Sequence, residues 1–276
     1  MSALLHHRAL GSPAAPKLAF VLHGALGSGQ NFSRFGQKLV ERRPDYRQVL
    51  VDLRHHGQSS GASPPNTLAA CAEDLRTLAQ HLGAEPSVLI GHSFGGKVSI
   101  AYAEQAAERA AAGLEQVWVL DAVPGEQPDG ESNSEVAQVM AAVRAVPVPA
   151  HSRRDVVNHL VSSAGLSSGL AEWMATNLKR QEQGYSWVFD LDGIEELMRD
   201  YFRVDLWGFL ARARTRPEFE LVVAERSDRW TPELRERARG LPPSARVHYH
   251  ELPNSGHWLH VDNPGALLDL MAERLL

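Results

Sequence analysis

The sequence predicts an α/β protein with a mostly parallel sheet, helices on both faces and one helical insertion. Short apolar runs that end in polar or flexible residues alternate with segments of helical apolar spacing. Strands that are separated by helices of this length pair in parallel and are covered on both faces. The alternation stops between residues 123 and 209, where only helical patterns occur. We therefore expect a core of residues 1–122 and 210–276 with a helical cap of residues 123–209.

A helical insertion after a strand end is positioned as a lid over the carboxyl edge of a parallel sheet. The alternative is an extra bundle that only adds stability.

The first half of the chain contains two strand–helix units. Residues 4–10 form at most a weak edge strand. An apolar run from Lys17 predicts a buried strand that ends at His23-Gly24, and a second run at 47–53 predicts the next strand. Each strand is followed by a loop and a helix with apolar side chains three and four residues apart. These side chains are Phe35, Leu39 and Val40 in the first helix and Leu68, Cys71, Leu75, Leu78 and Leu82 in the second.

The second half continues this order on both sides of the insertion. Residues 117–120 predict a strand that ends at Asp121, and residues 218–223 predict the strand after the insertion. The last strand is expected at 246–252, and the closing helix begins at Pro264, a residue that suits a first helical turn. The helical segments of the insertion are residues 136–146, 154–161, 170–178 and 194–202.

The sequence Gly-His-Ser-Phe-Gly at residues 91–95 joins a short apolar strand directly to a helix. A serine at such a turn has a tight backbone that projects its hydroxyl, and glycine is needed on both sides because strand and helix almost touch. The same five-residue pattern occurs around Ser59 and Ser167. Prolines follow the first of these copies and no strand precedes the second, so Ser93 is the candidate nucleophile.

The composition excludes several classes of protein. A chain of 276 residues, 43% of them hydrophobic, can bury the core of one α/β domain. A net charge of -5 without a long basic run argues against a nucleic-acid partner. One cysteine, Cys71, excludes an internal disulfide and a thiolate-rich metal site, and the histidine spacing does not fit a zinc site. We therefore expect no metal and no cofactor.

No stretch of the sequence resembles a membrane span or a signal peptide. The expected location is the cytoplasm, or an organelle if a transit peptide has been removed.

The complete pattern resembles the α/β-hydrolase superfamily over nearly the full chain. It consists of His23-Gly24 after an early strand, the turn at Ser93, the helical insertion, a late aspartate and His257 on a loop. Three segments are similar to small bacterial and organellar esterases of the abhydrolase-domain-containing-11 type. They are residues 52–59 (Asp-Leu-Arg-His-His-Gly-Gln-Ser), 91–97 (Gly-His-Ser-Phe-Gly-Gly-Lys) and 256–260 (Gly-His-Trp-Leu-His). The resemblance implies an α/β-hydrolase fold and esterase activity.

A serine nucleophile needs a base, and the base needs an acid to orient it. His257 is the candidate base because it follows the last strand on a glycine-flanked loop. After the strand at 218–223, the usual acid position falls on Ser227, and Asp228 comes one residue later. Asp121, at the end of the preceding strand, is the position that similar small esterases use. We favour Asp121 and keep Asp228 as the alternative acid.

The oxyanion of the reaction needs two donors, which by resemblance and geometry are the backbone amides of Ala25 and Phe94. Asp52 and Arg54 are expected to form an ion pair that holds the loop after them, the alternative being a substrate clamp. The candidates for lining a substrate pocket are His23, Leu26, His92, Trp173, Trp187, Trp207 and Trp258. For the two histidines a loop-supporting role, and for the tryptophans a core role, is the alternative.

These residues predict a cofactor-independent serine hydrolase of the carboxylesterase or thioesterase type that cleaves small or medium acyl esters through an acyl-enzyme. The expected partner is the small-molecule ester or thioester, and the expected state is a monomer or homodimer. A carbon–carbon hydrolase or lyase on the same scaffold is one alternative, although the cap shows no pair of arginines for a polar acid. A non-catalytic ligand-binding protein is the other, and the complete set of serine, histidine and aspartate argues against it.

Overall fold

A seven-stranded sheet lies at the centre of the computed structural model, which describes residues 4–111, 113–212 and 214–276. The order across this sheet is first, third, second, fourth, fifth, eighth and ninth strand, and only the first strand is antiparallel to its neighbour. The predicted mostly parallel sheet is confirmed. The strands are β1 (His7–Leu10), β2 (Lys17–Leu22), β3 (Tyr46–Val51), β4 (Val88–His92), β5 (Gln116–Leu120), β6 (Leu178–Gln181), β7 (Gly184–Trp187), β8 (Glu218–Ala224) and β9 (Val247–Leu252).

Helices cover both faces of the sheet, as predicted. One apolar cluster packs α2, α3 and the insertion against one face, and a second packs α1, α11 and α12 against the other. None of the described helices is both long and apolar enough to cross a bilayer. The helices are α1 (Ser33–Arg42), α2 (Leu68–Leu82), α3 (Phe94–Glu108), α4 (Gly130–Asn133), α5 (Glu135–Ala145), α6 (Arg153–Ser162), α7 (Ser168–Ala175), α8 (Leu191–Arg203), α9 (Trp207–Leu210), α10 (Pro232–Arg239), α11 (Leu259–Asp262) and α12 (Pro264–Arg274).

The ends of α2 show how local sequence sets the helix boundaries. The Thr67 hydroxyl accepts a hydrogen bond from the amide of Ala70 at 3.1 Å, which satisfies one of the free amides of the first turn. Gly83 follows the last residue with φ of 67°, a conformation that glycine adopts without steric cost. The helix therefore begins and ends where the sequence predicts.

Between β5 and β8 the chain forms α4–α9 and a β-hairpin of β6 and β7. Leu178 pairs with Trp187 in this antiparallel hairpin, and Gln181 pairs with Gly184. The prediction of helices alone, including one that reached Leu178, was wrong here. Strands of four residues are too short to show a period of two, although the aromatic residues of β7 favour a strand.

Lys97, on the helix that follows Ser93, fastens the insertion to the core. Its Nζ donates to the carbonyls of Gly125, at 2.7 Å, and Tyr201, at 2.5 Å, and lies 4.7 Å from the centre of the Tyr201 ring. Burial lowers the pKa of Lys97 to about 7. Because the Tyr201 carbonyl belongs to the last turn of α8, the amino group also satisfies an acceptor that the helix leaves free. Both ends of the insertion are thus bonded to α3.

The expected ion pair between Asp52 and Arg54 does not form, and each side chain has another task. The Asp52 carboxylate accepts from the amides of Gly29, at 2.8 Å, and Gln58, at 2.9 Å. The Nε of Arg54 donates to the fully buried Asp74 at 2.6 Å. In a strand, residues two apart point to the same side, but the chain leaves β3 after Val51, and the loop directs Asp52 and Arg54 to different neighbours. Asp52 therefore holds two loops, and Arg54 holds α2.

Candidate active site

Ser93 occupies the one-residue turn between β4 and α3. Its φ of 52° and ψ of −117° lie outside the regions that non-glycine residues normally adopt. A Cβ atom on Gly91 would lie 2.2 Å from the carbonyl oxygen of Gly95, and one on Gly95 would lie 2.6 Å from that of His23. The close approach of strand and helix thus explains Gly91, as predicted, whereas Gly95 is required by the end of the neighbouring strand β2. The Ser93 amide donates to the carbonyl of Leu120 at 2.9 Å, which ties the turn to the end of β5.

Of the two residues whose amides are the predicted oxyanion donors, Phe94 directly follows Ser93 and Ala25 lines the same cavity as Ser93. Phe94 is the first residue of α3, and the first amides of an α-helix have no acceptor within the helix. A Cβ atom on Gly24 would be 3.3 Å from the Cβ of Ser93, so the loop that carries Ala25 touches the turn. Gly24, Ala25 and Ser93 line one cavity. An anionic oxygen in this part of the cavity would lie near the positive end of α3.

His257 lies on the loop after β9 and is bonded to Asp121. Its Nδ1 donates to Oδ2 of Asp121 at 2.7 Å. Because a carboxylate only accepts, Nδ1 carries the proton and Nε2 keeps its lone pair. The ring of His257 is 4.6 Å from the ring of His92, the residue before Ser93, and both His257 and Ser93 line the cavity. His257 is therefore bonded to Asp121 and lines the same cavity as Ser93.

The carboxylate of Asp121 is buried and has three donors. Asp121 is 1% exposed, and its Oδ1 accepts from the amide of Ala224 at 3.0 Å. Its Oδ2 accepts from the hydroxyl of Ser227 at 2.8 Å, in addition to the imidazole of His257. Ser227 stands where the usual acid was expected from the sequence and supplies a hydroxyl instead. The three donors fix the orientation of Asp121.

Asp228, the alternative acid, is placed differently. Its side chain is 85% exposed and accepts from Arg229 at 3.2 Å. Since β8 ends at Ala224 and Ser227 is the residue that reaches Asp121, Asp228 falls one position too far along the loop, at the mouth of the cavity. The structure brings Asp121, and not Asp228, to the imidazole.

The cavity beside Ser93 has a volume of 510 Å³, which is in the usual range for ligand pockets. Of the residues named from the sequence, Leu26, His92, Trp173 and Trp258 line it. The helical spacing in the insertion indicated which faces of the helices are apolar. It did not show which of these faces would line the cavity. The apolar lining residues that the sequence analysis did not name are Val136, Val139, Leu170, Met198, Tyr201, Phe202 and Leu234.

His23 was named as a pocket residue, but it lies beneath the cavity. Its Nδ1 donates to the carbonyl of Gly24 at 2.7 Å, and its Nε2 accepts from the amide of Leu53 at 3.0 Å. Burial lowers the pKa of His23, so the ring stays neutral at pH 7. Both nitrogen atoms are used in holding the loop, which corrects the expectation of a pocket role.

Trp187 and Trp207 were also named as pocket residues and pack elsewhere. Trp207 is buried edge-on against Trp230, with ring centres 6.3 Å apart. Trp187 stacks on Phe189 at 5.2 Å. Aromatic side chains bury large areas, and these two pack against other aromatic rings instead of lining the cavity.

His92 both lines the cavity and supports the loop of His257. Its Nε2 donates to the carbonyl of His257 at 2.7 Å. Burial, together with the neighbouring His257 and His260, lowers the pKa of His92 well below the ordinary value. The neutral ring therefore holds the backbone of the loop that carries the other imidazole.

A possible metal site lies elsewhere in the described ranges. Glu218, Glu220 and His248 are close enough to hold an ion. However, Arg274 binds both oxygens of the buried Glu220, at 2.9 and 3.0 Å, and Arg246 pairs with Glu218. These arginines already neutralise the carboxylates, which is typical of an ion-pair network. The group lies at the start of β8, at the opposite end of the strand from the cavity.

We expect the stability of the protein to fall steeply in mild acid, with His260 as one cause. His260 stacks on Phe32 with ring centres 4.1 Å apart, and burial lowers its pKa from 6.5 to about 4. Between these two values the unfolded chain binds more protons than the folded one, so stability is lost as the pH falls from 6.5 towards 4.

His260→Phe should remove this contribution. The free energy of unfolding, measured in urea at pH 7.5, 6 and 5, should then decrease less steeply, by up to about 1.4 kcal/mol per pH unit. His81→Gln, which removes an exposed histidine of α2, is the control and should keep the wild-type slope. Equal slopes for wild type and His260→Phe would contradict the expectation.

Comparison with known proteins agrees with this architecture. A family model described as alpha/beta hydrolase family matches residues 19–270. The chain is 30% identical over 269 residues to the sn-1-specific diacylglycerol lipase ABHD11 of Mus musculus, which covers 96% of this chain and 82% of that protein. It is 23% identical over 248 residues to esterase YbfF of Escherichia coli strain K12, which covers 90% and 89%. A solved marine microorganism esterase has a TM-score of 0.81 at 24% identity over 98% of both chains, a likeness of fold.

Proposed function

The chain belongs to the alpha/beta hydrolase family, and we propose that it is a serine esterase that cleaves acyl esters or thioesters through an acyl-enzyme. The observation that carries the proposal is the 2.7 Å hydrogen bond from His257 to the buried Asp121, at a cavity that Ser93 also lines. An imidazole oriented in this way presents an unprotonated Nε2 for the hydroxyl of a serine.

In the first half of the reaction, Oγ of Ser93 attacks the acyl carbon and Nε2 of His257 takes its proton. The amides of Ala25 and Phe94 donate to the oxyanion of the tetrahedral intermediate. The bond to the leaving group then breaks, and the alcohol or thiol leaves with the proton from His257. In the second half, Nε2 of His257 takes a proton from water as the water attacks the acyl carbon of the acyl-enzyme. The proton then returns to Oγ of Ser93 as the carboxylic acid leaves.

Four neighbours support this chemistry without reacting. Asp121 stabilises the imidazolium that forms, and the hydroxyl of Ser227 and the amide of Ala224 keep its carboxylate in place. His92 holds the carbonyl of His257. These contacts limit the motion of the base, and small displacements of a reacting group are costly in rate.

The cavity supports an apolar acyl group as the part of the substrate that is recognised. Its inner wall is made of aliphatic and aromatic side chains from α5, α7 and α8. We propose that residues 123–209 act as the cap that excludes water from the reaction. The mouse relative is named a diacylglycerol lipase, which also supports an uncharged ester as the substrate.

A series of p-nitrophenyl esters tests the proposed function. We expect hydrolysis without added metal or cofactor, with a higher kcat/KM for butyrate and octanoate than for acetate because the apolar cavity binds the added methylene groups. A fluorophosphonate probe should label the protein on Ser93, as peptide mass spectrometry would show. A folded protein that neither hydrolyses these esters nor reacts with the probe would instead be a ligand-binding member of the family.

A further inference from the structure

A second cavity lies on the outer side of the insertion, in a groove between α5 and α8 that we call the α5–α8 groove. Its volume is 320 Å³, and it shares two lining residues, Met198 and Phe202, with the cavity beside Ser93. The two cavities are therefore separated by a wall that is one side chain thick. The remaining lining residues of the groove are Glu131, Ala137, Met140, Ala141, Arg144, Glu195 and Arg199.

The two residues of this wall differ in their freedom to move. A Cβ atom on Gly130 would lie 2.3 Å from the ring of Phe202, so the ring packs directly on the backbone of α4. Met198 has an unbranched side chain with three rotatable bonds, which adapts to irregular spaces. Of the two side chains, Met198 is therefore the one that adapts more readily to a ligand lying in both cavities.

Ion pairs lie at both ends of the α5–α8 groove. Arg144 of α5 pairs with Asp192 and Glu195 of α8, at 2.6 and 2.8 Å. At the other end, Arg203 of α8 pairs with Glu131 at 3.0 Å. Between these pairs the surface of α5 that lines the groove carries the small side chains of Ala137 and Ala141. The pairs of Arg144 thus join α5 to α8 at one end of the groove, the pair of Arg203 joins α8 to α4 at the other, and small side chains line the groove between them.

We propose that the α5–α8 groove binds the distal part of a long, unbranched acyl chain whose ester carbonyl lies at Ser93. This inference rests on the proposed esterase function and adds the chain length of the substrate. The apolar floor of the groove, Met140 with Met198 and Phe202, matches a chain of methylene groups. The charged side chains of the rim remain in water, where they do not contact the chain.

Ala141→Trp tests this proposal, because Ala141 is exposed and lines the groove but not the cavity at Ser93. Each methylene group that loses its buried site lowers affinity about fourfold. We expect kcat/KM for a monomeric p-nitrophenyl palmitate to fall by at least about tenfold, with that for the butyrate unchanged within about twofold. Ala137→Trp, on the same face, should give the same pattern.

Gln138→Trp is the matched control, since this exposed residue of α5 lines neither cavity. It should keep the wild-type ratio of palmitate to butyrate turnover. Unchanged ratios in both Ala141→Trp and Ala137→Trp, or a wild-type enzyme that hydrolyses butyrate but not palmitate, would overturn the proposal for the groove. If the wild type does not hydrolyse the butyrate ester, the proposed function itself is rejected.

Discussion

Replacing Ser93 with alanine should lower kcat for ester hydrolysis by a factor of about 10⁴ or more, the effect expected for loss of a nucleophile. The turn itself should persist, because alanine has the same Cβ as serine and the two flanking glycines leave the same space. Saturating p-nitrophenyl butyrate gives kcat, and thermal unfolding followed by circular dichroism checks the fold. Turnover close to that of the wild type would remove Ser93 from the mechanism.

Ser167→Ala is the matched control, because Ser167 lies at the centre of another Gly-x-Ser-x-Gly copy. In the structure its hydroxyl caps α7 by accepting from the amide of Leu170 at 3.3 Å. Its loss should cost about 1 kcal/mol of stability, the usual value for an N-cap. Since Ser167 does not line the cavity, kcat should remain at the wild-type value.

Asp121→Asn should reduce kcat by a factor of about 10⁴. An amide in place of the carboxylate can donate to Nδ1 of His257, which moves the imidazole proton to Nε2 and leaves no base for the serine. The amide of Ala224 still donates to the remaining carbonyl oxygen, and the hydroxyl of Ser227 can accept from the new amide instead of donating, so the fold should be retained. The measurement is kcat against pH from 5 to 9, together with thermal unfolding.

Asp228→Asn is the matching variant on the neighbouring loop. The side chain of Asp228 is exposed and bonded to Arg229, so kcat should stay within about twofold of the wild type. If Asp228→Asn were the variant that lost activity and Asp121→Asn retained it, the assignment of the acid would be reversed.

The parts of the fold that the sequence predicts are those with a local signal. The strand, turn and helix around Ser93 follow from a run of three apolar residues and two glycines, and the structure shows why both glycines are required. The hairpin of residues 178–187 has no such signal, because each of its strands has only four residues. The two strands pair with each other locally, and the segments on both sides of them have helical patterns. The helical prediction was therefore extended over these residues.

In the candidate site, too, neighbouring residues in the sequence indicate some features, whereas others depend on contacts between distant parts of the chain. The order of the chain indicated both Asp121 and Asp228, but the choice depends on how β5 pairs with β8, which places Ala224 and Ser227 over the carboxylate of Asp121. The cavity lining depends on which face of each helix is turned to the sheet. Met198 belongs to an apolar face that the spacing reveals, whereas its position between two cavities comes from tertiary packing.

The hydrogen bond from Ser93 to Leu120 means that Ser93 and Asp121, the proposed nucleophile and acid, each follow one residue after a pair of neighbouring strand residues, His92 and Leu120. The segment at 225–231 then has to contribute only a hydroxyl to the reaction, while its residues at 228, 229 and 231 border the entrance. Under the proposed mechanism, substitutions at these three positions can therefore change which alcohols are admitted without changing the groups that break the ester bond.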